Sequence, residues 1–91
     1  MNDFESGDFH TVLEEVRSFI AESGDTPEWF ATAYVSWYRG KDRTVDLQGF
    51  MSLDSENKVL FCKMLYLRKL QGWRDQDLYE VEKFAIERWK L

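Results

Sequence analysis

Apolar residues along this chain recur at helical three-and-four spacing rather than alternating, and Gly24, Pro27, Gly40, Gly49 and Gly72 punctuate the stretches between them. Phe9, Val12, Leu13, Val16, Phe19 and Ile20 form one stripe, with Asp8 placed to cap and Gly24 to stop, which predicts a helix over about residues 9–22. Thr26-Pro27-Glu28 supplies a capping hydroxyl, a proline suited to the first helical position and an acid for the first turn. The second helix then runs through Trp29, Phe30, Ala33, Tyr34 and Trp37 to Arg39, and Gly40 ends it. A polar loop of Lys41, Asp42, Arg43 and Thr44 leads into Val45–Met51, long enough for one helical turn. Asp54 or Ser52 is positioned to cap a third helix through Val59, Leu60, Phe61, Met64, Leu65, Leu67 and Leu70 to Gly72. Its apolar residues cover more than one stripe, so it is expected at the centre of the bundle. Asp75 or Asp77 caps the last helix, with Leu78, Val81, Phe84, Ala85 and Trp89 inward and Glu80, Glu82, Lys83, Glu87, Arg88 and Lys90 toward water.

The pattern therefore predicts an all-α protein, a compact bundle of four helices plus a short helical turn with the third helix central. Short loops favour antiparallel neighbours. Ninety-one residues suffice for one domain and leave nothing for a second core. Residues 1–7 are expected to be a flexible tail, from which Phe4 either docks on a neighbour or stays mobile. With 44% hydrophobic and 32% charged residues the chain has the balance of a folded globule, and its 16% aromatics supply the apolar area that small domains lack.

Charge changes the picture. The net charge of -5 is the wrong sign for unaided binding to phosphate backbones. It is also uneven, since residues 1–40 hold eight acids and two bases whereas residues 41–91 hold nine acids and ten bases. An acidic face in the first half would steer toward a basic partner and away from anionic membrane. Cys62 is the lone cysteine, has no internal disulfide partner, and lies in an apolar run where a buried thiol is the default. The N-terminus lacks the basic and apolar regions of a signal peptide, and no apolar run approaches a membrane span. The expected setting is cytoplasmic.

The series Ala33, Trp37-Tyr38, Val45-Asp46-Leu47, Leu53-Asp54, Phe84 and Trp89 resembles a family of small uncharacterised bacterial proteins, a domain of unknown function also met in phage and plasmid contexts. The likeness spans about residues 12–90. After the aromatic pair and after the last tryptophan this chain departs from the family pattern, with Arg39-Gly40 and Lys90-Leu91. The resemblance implies a helical fold and a mobile-element setting; it implies no activity, cofactor or catalytic residue.

Candidate chemistry is sparse. His10 and Cys62 are the sole histidine and thiol, and a dyad between them would need a reactive thiol where burial raises its pKa. Asp42, Asp46 and Asp54, or Asp75, Asp77 and Glu80, offer oxygen ligands but lack calcium-loop spacing, and capping accounts for several of them. No zinc spacing, phosphate-binding loop or nucleophile elbow occurs. The expectation is a non-enzymatic protein without cofactor or metal, which engages a protein partner through Glu14, Glu15 and Glu22 and through the aromatics Trp29, Tyr38 and Trp73. Phe50 shares the aromatics' position at a helix end or loop. The competing reading places nucleic acid on Arg39, Lys41 and Arg43 beside Trp37 and Tyr38. Arg68, Lys69 and Arg74 around Trp73 read as helix-dipole partners. Homodimerisation is a third mode by which a small bundle hides an aromatic patch.

Overall fold

A computed structural model describes residues 7–40 and 44–91. The flexible-tail expectation for residues 1–6, with Phe4, and the candidates Lys41, Asp42 and Arg43 therefore lie outside the described residues. The helices are α1 (Phe9–Ile20), α2 (Asp25–Arg39), the short α3 (Gln48–Met51), α4 (Ser55–Leu65) and α5 (Asp75–Trp89), with a 3-10 turn at Leu67–Lys69. Among the described residues there is no strand, and the four-helix all-α expectation holds.

Two helix starts form as the capping argument requires. The Asp8 carboxylate accepts hydrogen bonds from the Thr11 backbone N–H (2.9 Å) and hydroxyl (3.0 Å), and that of Asp54 accepts from the Asn57 N–H (2.8 Å). The other two starts differ. Gly24, at φ +119°, occupies the position before α2, so Thr26 lies inside the helix and caps nothing. Arg74 precedes α5, and neither Asp75 nor Asp77 caps it. At the far ends, α1 stops at Ile20, two residues before the expected end, and Gly40 closes α2 in the left-handed conformation.

The largest departure concerns the third long helix. It breaks at Leu65 and gives way to the 3-10 turn. Its centrality is corrected as well: α1 and α2 each bury six residues, whereas α4 buries Leu60 and Met64 and exposes Val59 and Leu65. The apolar residues that seemed to surround one helix are divided between a helix and a turn, with Leu67 and Leu70 reaching the core from the turn. The core is instead organised as two seams, with α2 packed chiefly on α5 and α1 on α4.

Long-range side-chain contacts tie the two seams to each other. Arg88, expected to face water, reaches the carbonyls of Ala21 (3.3 Å) and Glu22 (3.1 Å), and Trp89 Nε1 donates to the Ile20 carbonyl at 2.9 Å. Both residues thus satisfy acceptors left open at the C-terminus of α1. Trp29 packs tilted against Phe61, with ring centroids 5.3 Å apart, and donates its indole N–H to the Asp46 carbonyl at 2.7 Å. A methyl group at Gly49 would overlap that indole, so glycine lets α3 lie flat on the ring.

Candidate functional site

The apolar stripe of α1 turns Glu14, Glu15 and Ser18 away from the core, and Glu22 follows in the turn beyond. Across from them α4 presents Glu56 and Val59. Together these residues line an open groove of about 950 Å³ between α1 and α4, with His10 and Lys63 also on its walls. Phe19 and Leu60, both buried, reach its lining, and Val59 is 45% exposed.

Four carboxylates thus converge with one lysine and one histidine. Among the described residues no hydrogen bond or ion pair engages the side chain of Glu14, Glu15, Glu22 or Glu56. Charge of one sign lining a concave surface raises the local concentration of opposite charge. The three glutamates singled out on α1 are therefore brought together, and Glu56, which sequence reasoning passed over, joins them from a helix more than thirty residues away.

The aromatic candidates lie elsewhere. Trp29 is half-buried, packed on Gly49 and Phe61. Phe50 packs edge-to-face on Phe61, centroids 5.5 Å apart. The Tyr38 ring stacks parallel to Tyr34 at 6.4 Å, and its hydroxyl donates to the Asp75 carboxylate at 3.1 Å. Trp73 is 42% exposed.

The basic candidates also have assignments. Arg39 forms a two-pronged contact with Glu82: its Nε donates to Oε2 and its Nη2 to Oε1 (3.1 Å). Glu82, expected in water, is 1% exposed. A signal for this was present, because Leu78, Val81, Glu82 and Ala85 occupy the spacing of one helical face. Arg68 lies over the rings of Trp37 (4.6 Å) and Tyr38 (5.3 Å) and donates to the Tyr38 carbonyl at 3.1 Å, so it serves the C-terminal end of α2.

Burial pushes the phenols of Tyr34 and Tyr38 up from the ordinary value of 10.0, and the nearby Asp75 adds to the rise at Tyr38. Tyr34 donates its hydroxyl proton to the Leu78 carbonyl at 2.7 Å, a bond that requires the neutral form. At Asp8 the Thr11 backbone N–H stabilises the charged form and lowers the pKa.

Among the described residues no hydrogen bond joins Cys62 to His10: Cys62 is half-buried, and His10 faces Asp77 with Nδ1–Oδ2 at 3.9 Å. Asp46 accepts from the Gln48 N–H (3.0 Å), Glu80 accepts from Gln76 (2.9 Å), and Asp54 and Asp75 are engaged as described. Among the described residues no three His, Cys, Asp or Glu side chains form a group able to hold a metal ion, and no helix is long and apolar enough to cross a membrane. Comparison of the chain with known family models, with curated proteins and with solved structures finds no match.

Proposed function

We propose that this protein is a non-enzymatic interaction or regulatory domain that binds a basic protein surface through the acidic face of α1. The observation that carries this reading is that Glu14, Glu15, Glu22 and Glu56 line one concave surface beside a single lysine, Lys63, and that among the described residues no ion pair engages any of the four. Most other candidate polar groups already have internal partners. A concave surface lined by four carboxylates and one lysine is suited to attract cations from outside. A reducing, cytoplasmic setting agrees with the free thiol of Cys62.

The test is affinity capture from bacterial lysate, nuclease-treated, by the wild-type chain and by the triple variant Glu14→Lys, Glu15→Lys, Glu22→Lys. A protein partner should be held at low salt, released at high salt and lost from the triple variant, while helical circular dichroism is unchanged. Capture that the reversals leave intact overturns the reading. So does capture that vanishes with nuclease, which would shift attention to the segment containing Lys41 and Arg43.

A further inference from the structure

We infer that the α1–α4 groove accepts a basic amphipathic helix of about three turns, an inference that rests on the acidic-face reading and specifies its partner. The distribution of chemistry within the groove carries it. Glu14, Glu15 and Glu22 stand on the α1 side and Glu56 on the α4 side, while the exposed part of Val59 and the edges of Phe19 and Leu60 supply apolar surface in the same groove. A complementary segment needs an apolar stripe with Lys or Arg beside it, not a uniformly basic surface.

Its length follows from the wall. On α1 the lining runs from His10 to Phe19, about 14 Å at the helical rise, and Glu22 in the turn beyond continues the wall, which together match about three turns of a partner helix. Its conformation follows from the backbone. Both walls are helices whose central N–H and C=O groups are bonded internally, so they offer an extended peptide no edge to pair with. An extended segment would gain no backbone pairing from these walls, whereas a helix bonds its own backbone and presents an apolar stripe and a charged flank together. The carboxylates repel nucleic acid and anionic lipid, which leaves a cationic polypeptide as the fitting occupant.

The experiment uses the full chain and a fluorescein-labelled synthetic 14-residue peptide with a leucine stripe flanked by lysines, read by anisotropy. Two control peptides share its charge: one has the same residues in an order that destroys the stripe, the other carries a central proline. Both controls should bind about tenfold more weakly than the parent. On the protein side, Glu14→Lys with Glu22→Lys should weaken the parent peptide by about tenfold, and Val59→Asn by severalfold, with circular dichroism unchanged. Equal binding of all three peptides, or indifference to Val59→Asn, overturns the groove while leaving a diffuse acidic face standing. If the parent peptide does not bind at low salt, the groove is rejected on its own terms, while lysate capture by wild type and triple variant still judges the broader reading.

Discussion

The two seams of this bundle treat charge in opposite ways. Along α2 and α5, polar groups are matched, some of them in the core: Arg39 grips the buried Glu82, the buried Tyr34 donates to the Leu78 carbonyl, and at the surface Tyr38 donates to Asp75. Along α1 and α4, carboxylates remain outward and unmatched among the described residues, and a groove stays open between the helices. Taking a charge out of water is tolerable only when a partner and good geometry come with it. The first seam meets that condition and so can close; the second keeps its charges hydrated and available. The difference separates a seam closed around paired polar groups from one that buries its apolar stripe but leaves its carboxylates at the surface, where the proposed partner would bind.

The sharpest break of this contrast is Arg39→Ala. It leaves the Glu82 carboxylate enclosed without its cation and should reduce unfolding free energy by about 3 kcal/mol, read by urea denaturation. A loss below about 0.5 kcal/mol would show that solvent replaces the arginine and that this seam does not depend on the pair. Replacing both partners with apolar groups, as Arg39→Met with Glu82→Leu, should recover most of the loss.

Next comes Gly49→Val, which forces the Trp29 indole off α3 at an expected penalty of about 2 kcal/mol and should move the indole N–H resonance of Trp29. An unmoved resonance would mean that α3 is not seated by that ring.

The tyrosines test the closed seam through pH. In the fold their protons are held more tightly than in the unfolded chain, since both pKa values are raised from 10.0. Above that value the unfolded state releases protons that the native state retains. Stability should therefore be full below pH 10 and fall as pH rises beyond it. Tyr34→Phe should flatten much of the alkaline decline in melting temperature, at a loss of about 1 kcal/mol at neutral pH. An unchanged decline would assign it to other groups.

The smallest effect is expected at the open seam. Each single reversal of Glu14, Glu15 or Glu22 to Lys should alter stability by less than about 0.5 kcal/mol, because none has a described internal partner to lose. A loss comparable with that of Arg39→Ala would erase the distinction between the seams.

Much of the architecture was legible in the chain. The α1 stripe appears with all six of its apolar positions buried, Asp8 and Asp54 cap as expected, and Gly40 ends α2. The break after Leu65 was not legible, because an apolar run satisfies a helix and a 3-10 turn equally well. The acidic candidates on α1 were readable as one face of one helix, whereas the contribution of Glu56 depended on which helix lies opposite. The aromatics at helix ends looked alike in sequence, yet Trp29 and Tyr38 are engaged internally and Trp73 keeps a large exposed face.

The sequence by itself determined the helical class, the whole buried stripe of α1 and only part of those of α2 and α5, and the charge imbalance between the halves, because periodicity, caps and residue counts are local properties. Tertiary structure alone decided which charges meet. Arg39 and Glu82 are forty-three residues apart, and Arg88 is sixty-six from Glu22, so helical spacing places each on a face but does not select its partner. That selection comes from how the stripes pack together, which closed one seam around its ion pair and left the other as a groove.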